Sequence, residues 1–82
     1  MEKSLFTDGY EVFLQVLREA RLASGLSQED LAEEIGETQS FISKCERGER
    51  RIDVVELAAM CRALGITLAQ FVEAYETALA GK

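Results

Sequence analysis

A repeated punctuation constrains this chain more than any other feature: a capping residue, a short apolar run at helical spacing, then a glycine stop. Ser27, with Asp30 three residues on, begins one such unit, and Gly36 closes it. Thr38 begins another that runs through Phe41, Ile42 and Cys45 to about Glu46, with Gly48 beyond. Asp53 with Glu56 opens a third, ended by Gly65, and Thr67 with Gln70 opens a fourth. The side-chain oxygen of such a residue accepts a bond from an otherwise unpaired N–H in the first helical turn. The residue three positions later returns the bond. Glycine takes the left-handed backbone that ends a helix. Asp8 with Glu11 repeats the pattern and predicts the start of a first helix ending near Gly25, with residues 1–7 and 81–82 as ragged ends. The 82 residues contain no proline and no strand pattern of useful length, so the expectation is an all-α fold of five helices.

Apolar spacing assigns a buried face to each helix. In the first it is Tyr10, Phe13, Leu14, Leu17 and Ala20; in the second, Leu31, Ala32 and Ile35. The fourth offers Val54, Leu57, Ala58, Cys61 and Leu64. The fifth, predicted over about 68–79, offers Leu68, Phe71, Val72, Tyr75 and Leu79, and Ile66 stands where a hydrophobic staple to Phe71 begins.

Length predicts one domain over residues 1–82, without a second lobe to form an interdomain cleft. Two cysteines, Cys45 and Cys61, are too few for a disulfide scaffold and fit a reducing cytoplasm. As small apolar residues at helical spacing they are read as core, and without histidine they make a poor zinc set. No nucleophile–base pair, phosphate-binding glycine loop or metal-ligand spacing is present, so neither catalysis nor a cofactor is expected. No apolar run approaches a membrane span, and no signal-peptide pattern opens the chain.

Function is concentrated in residues 28–46. Two short helices meet at Gly36, where the turn is too tight for them to lie antiparallel. Ala32 is small where they cross, and Leu31 and Ile42 can lock them into a shared core. A helix-turn-helix makes these demands, because its second helix must project from the body to enter a major groove. Residues from about Leu17 to Leu68 resemble the phage Cro/repressor family of helix-turn-helix regulators. The resemblance rests on Ser-Gln-Glu-Asp-Leu-Ala at 27–32 together with Ser-Lys-Cys-Glu-Arg-Gly at 43–48. It implies a compact five-helix, lambda-repressor-like DNA-binding domain.

By position, the resemblance implies that Gln39, Ser40 and Lys44 reach base edges. Gln28, Thr38, Ser43, Arg47 and Arg50 are implied to contact phosphates; Arg51, in the same loop, reads either as a further phosphate contact or as a solubilising charge. The side-chain chemistry suits these roles: glutamine pairs in bidentate fashion with adenine, lysine donates to guanine, and hydroxyls at a helix start suit phosphate. Arg21 and Glu46 fall where the family has an ion pair between the first and third helices. Glu37 stands where the family usually has an apolar residue, and Cys45 replaces a larger aliphatic one. The acidic set Glu29, Asp30, Glu33 and Glu34 reads as a solvated helix face. The resemblance also offers it as a contact surface for RNA polymerase.

Leu5, Phe6, Tyr10, Leu14, Phe71, Tyr75 and Leu79 exceed what a chain of this size can cover well. They read either as packing of the first helix against the last or, the preferred reading, as a homodimer with Phe71, Tyr75 and Leu79 at the interface. The expected function is a dimeric, cytoplasmic, sequence-specific regulator on a pseudo-palindromic operator, with half-sites roughly 10–10.5 bp apart. An autorepressor, a restriction–modification controller and an antitoxin fit equally. The alternative is a protein-interaction module on the same fold.

Net charge is −6, which taken alone opposes a nucleic-acid partner. Its distribution changes that reading. Residues 18–37 carry −4, whereas residues 38–51, with four basic and two acidic side chains, carry +2. The local sign favours DNA at the segment the motif selects, and the acidic remainder predicts weak non-specific binding.

Overall fold

In a computed structural model that describes residues 5–81, the cap signals become helix boundaries. The helices are α1 (Leu5–Ser24), α2 (Gln28–Ile35), α3 (Gln39–Glu46), α4 (Val54–Leu64) and α5 (Leu68–Ala80), with no strand among the described residues. Ser27, Asp53 and Thr67 each close a reciprocal capping box, with Asp30, Glu56 and Gln70 respectively. Thr38 caps α3 by accepting the Phe41 N–H at 3.1 Å. At the turn after α2, Gly36 adopts φ 75°, and the following N–H of Glu37 reaches back to Ala32 O at 2.8 Å. That backbone favours glycine, so the tight angle between α2 and α3 is set by one residue without a Cβ.

The start of α1 differs from expectation. The helix begins at Leu5, which places Asp8 inside its first turn instead of at the cap. Two acids three residues apart are equally at home on a helix face, and near the N-terminus the macrodipole favours them. Residues 5–7 and Ala80 are therefore helical, while 1–4 and 82 lie outside the described residues.

Buried positions come from every helix: Val12, Val16 and Leu17 from α1, Leu31 and Ala32 from α2, Ile42 and Cys45 from α3. Leu57, Met60, Cys61 and Leu64 from α4 and Phe71 from α5 complete the core. In α1 the face is broader than predicted. The helix packs against α5 on one side and α3 and α4 on another, so Val12 and Val16 are buried as well. In α4, Met60 takes the place expected of Val54, which starts the helix and stays 63% exposed. Phe71 meets Phe13 edge-on at 5.6 Å. Tyr75 also meets Phe13 edge-on, and its hydroxyl donates to Gly9 O at 3.1 Å. Tyr10 accepts the Ile52 N–H at 3.2 Å, which ties the loop after α3 to α1.

Among the described residues one charged pair belongs to this interior. Arg21 Nε donates to Glu46 Oε2 at 2.6 Å and Nη2 to Oε1 at 3.1 Å, while Nη1 donates to Leu26 O at 2.9 Å. The side chains are only 9% and 6% exposed. The pair joins the last turn of α1 to the last residue of α3 and so fixes the angle of α3.

Two measurements follow from this packing. Removing one partner of the ion pair, by Arg21→Ala or Glu46→Ala, leaves a buried charge uncompensated and is expected to cost about 3–5 kcal/mol in urea unfolding. A cost below about 1 kcal/mol would show that α3 is oriented by apolar contacts alone. Burial pushes both the Cys45 and Cys61 thiols up from their ordinary range, which keeps them protonated at neutral pH. Neither is expected to react with a thiol reagent in the native protein, and both should react after unfolding.

Candidate nucleic-acid interface

Because α3 buries Ile42 and Cys45, its opposite side is turned outward, and Gln39, Ser40 and Lys44 are all exposed. Thr38 is exposed at the cap, and Ser43 is half-buried. Three hydrogen-bonded steps connect this face to the interior. Glu46, held by Arg21, accepts from Gln28 Nε2 through Oε1 at 2.9 Å. Gln28 Oε1 in turn accepts from Gln39 Nε2 at 3.2 Å. The Gln28 amide is thus engaged at both ends, and only its second amide hydrogen remains for a phosphate. Gln39 spends one of its two amide hydrogens, keeping the donor and acceptor that the paired pattern of adenine requires.

The loop after α3 turns at Gly48, whose φ is 80° and whose Cβ, if present, would stand 3.2 Å from the Leu14 side chain. It carries the three arginines. Arg47 forks onto Glu49, with Nε to Oε2 at 2.9 Å and Nη2 to Oε1 at 3.2 Å, and also donates to Ser43 Oγ. Arg50 donates to Glu56 Oε1 at 2.7 Å and to Arg51 O at 2.6 Å, with its guanidinium 4.8 Å from the Phe41 ring centroid. Arg51 lies over the Tyr10 ring at 4.4 Å. These bonds act on the acids too. The Arg47 hydrogen bond holds the Glu49 carboxyl below its usual range, and the Arg50 bond does the same for Glu56.

The pairings of Glu49 and Glu56 were not legible in the sequence. Arg50 and Glu56 are separated by a loop and a helix start, a spacing that carries no periodic signal. The Arg47–Glu49 pair, two residues apart, depends on the turn at Gly48.

Two shallow depressions flank the start of α3. One, of about 330 Å³, is lined by Glu37, Thr38, Ser40, Phe41, Lys44 and Arg50. The other, of about 430 Å³, has acidic walls from Glu29, Asp30, Glu33 and Glu37 beside Gln39. Glu37 borders both, so the turn places a negative charge next to the outward face of α3. Asp30 is tied to the Ser27 N–H at 3.1 Å as part of the α2 cap. Among the described residues no group of acids and thiols could hold a metal ion.

The predicted dimer residues separate. Phe71 is 2% exposed within the core of its own chain and presents no surface for a partner. Tyr75 is half-buried and bonded to α1, and Leu79 is 38% exposed. The more open apolar side chains are Leu22, Val54, Val55 and Val72. No single helix among the described residues is long and apolar enough to cross a membrane.

Comparisons with known proteins place this arrangement in a family. A scan against family models matches residues 17–71 to the helix-turn-helix family. Among solved structures, an XRE-family-like protein from Pseudomonas syringae pv. tomato is 38% identical, with a TM-score of 0.84 over 89% of each chain. The restriction-modification controller protein C.AhdI from Aeromonas hydrophila is 41% identical, with a TM-score of 0.66 over 72% of this chain and 86% of its own. A second wild-type controller protein, at 24% identity, shares the fold over 98% of this chain and 100% of its own, with a TM-score of 0.84. A search of curated protein sequences gives no match. With the motif covering most of the chain and a relative aligned nearly end to end, the chain belongs to the XRE-like helix-turn-helix family of DNA-binding transcription regulators.

Proposed function

We propose that the protein is a homodimeric regulator of the controller type that inserts one α3 per protomer into successive major grooves of a pseudo-palindromic operator. The observation that carries the reading is the outward face of α3: Gln39, Ser40 and Lys44 stand together on a helix anchored from behind by Arg21 and Glu46. In this reading those three side chains contact bases. Gln28, Thr38, Ser43, Arg47 and Arg50 contact phosphates on either side. The likeness to the restriction-modification controller protein C.AhdI, at 41% identity, favours that role over an antitoxin. Such a protein acts in the cytoplasm, where its two thiols stay reduced.

The dimer surface is drawn from the apolar side chains that remain exposed. Val54 and Val55, 63% and 75% exposed, open α4 immediately after the arginine loop, while Leu79 on α5 is 38% exposed. An interface at the start of α4 lies one short loop from α3, so the dimer geometry sets the spacing of the half-sites.

Selection of bound duplexes from a random pool tests the reading directly. A palindromic site should emerge, bound with a log–log salt slope of about −3.6 from the two arginines, Arg47 and Arg50, that each protomer places on phosphates. Gln39→Ala and Lys44→Ala are each expected to cost about 1–3 kcal/mol in operator binding and to relax sequence preference at the bases they read. If both variants bind the selected site as the parent does, α3 is not the reading helix. At the proposed dimer surface, Val55→Glu should shift the protein to a monomer in sedimentation equilibrium. It should also weaken operator binding far more than binding to random DNA. A dimer unaffected by Val55→Glu places the interface elsewhere.

A further inference from the structure

The arginines of the loop after α3 already hold carboxylates in the geometry in which arginine holds phosphate. Arg47 grips Glu49 through two parallel bonds, the bidentate fork that guanidinium makes with either anion. Arg50 is fixed from three directions: Glu56 Oε1, Arg51 O and the face of Phe41. Glu56 Oε1 also accepts the Asp53 N–H at 3.1 Å, so the α4 cap keeps this carboxylate in place whether or not Arg50 is bound to it. Lys44, by contrast, has no ion-pair partner among the described residues.

We propose that Glu49 and Glu56 are built-in phosphate mimics that set the specificity of DNA binding by withholding Arg47 and Arg50 from random sequence. This rests on the reading of α3 and its loop as the DNA-binding face. On random DNA, moving an arginine from carboxylate to phosphate exchanges one ion pair for another and leaves a glutamate facing the phosphate backbone. The exchange brings little gain, so the arginines stay where they are. On the operator, base contacts by α3 fix the protein in register and bring particular phosphates to the loop. The exchange is then driven by contacts that random sequence does not supply. Both arginines thus contribute to operator binding and little to non-specific binding.

The test uses the full chain with Glu49→Gln, Glu56→Gln and Glu73→Gln. The last removes the same charge from the exposed side of α5 and serves as the control for net charge. Glutamine at 56 can still accept the Asp53 N–H, and Glu49 takes no part in a cap, so a folding defect in one variant leaves the other informative. Affinity is measured for the selected operator and for a random-sequence duplex of equal length, each over a range of salt.

Glu49→Gln and Glu56→Gln should each bind random DNA about two- to fivefold more tightly than Glu73→Gln does, the ratio equivalent to losing one exposed ion pair. The salt dependence on random DNA should steepen by about 0.9 for each arginine freed. Operator affinity should rise less, so discrimination falls. Adding Arg47→Gln to Glu49→Gln should remove the gain. If the parent selects an operator while Glu49→Gln and Glu56→Gln both match Glu73→Gln on random DNA, the mimics are overturned and the DNA-binding reading stands. If the parent selects no DNA and no variant binds either duplex, both readings fall.

Discussion

The buried pair of Arg21 and Glu46 is the constraint on which the outward face of α3 depends. α3 has eight residues, too few to hold a helical shape or a fixed direction by itself. Ile42 and Cys45 anchor its inner side but leave its rotation and tilt to be set by something directional. A guanidinium forked onto a carboxylate supplies that direction, because two parallel bonds constrain angle as well as distance. Burial makes the constraint strict: either charge left alone in the interior is costly, so α1 and α3 can separate only by breaking both bonds. The same carboxylate accepts from Gln28, and Gln28 accepts from Gln39. The orientation set in the core is therefore transmitted, amide by amide, to the first exposed side chain of α3.

What the sequence revealed followed from how local each signal is. Capping residues and stop glycines act within four positions of themselves, and Ser27, Thr38, Asp53, Thr67, Gly36 and Gly65 all stand where local chemistry puts them. The start of α1 lies upstream of the cap signal because Asp8 and Glu11 satisfy two local rules at once, a cap and a helix face, and only the neighbouring helices decide between them. The exchange of Val54 for Met60 in the core has the same origin. α4 touches α1, α2 and α5, and a helix with three neighbours buries more than one stripe.

Phe71 exposes a different limit. A count of apolar residues can show that some surface is in excess but cannot say which members the chain keeps for itself. Phe71 is retained because Phe13 on α1 presents an edge to it, whereas Val54 and Val55 project from a helix start with little beside them. The outward side chains Gln39, Ser40 and Lys44 were readable because helix periodicity fixes direction once the inner face is known. The acids that engage Arg47 and Arg50 were not, since they depend on how a loop closes.

That closure also reconciles a net charge of −6 with DNA as a partner. The energy of attracting a polyanion is independent of sequence, so every acid on the protein weakens operator and random DNA together. Specificity is the difference between the two affinities, and a uniform penalty leaves that difference intact while lowering occupancy of the far more numerous wrong sites. Acids scattered over the body, as on α2, can do no more than this. An acid bound directly to a phosphate-seeking arginine does more, because its penalty is lifted only when the arginine finds an alternative anion in the right place. The distinction depends on position and not on total charge. Glu49 in the loop after α3 and Glu56 in the first turn of α4 therefore bear on recognition in a way that the larger acidic set on α2 does not.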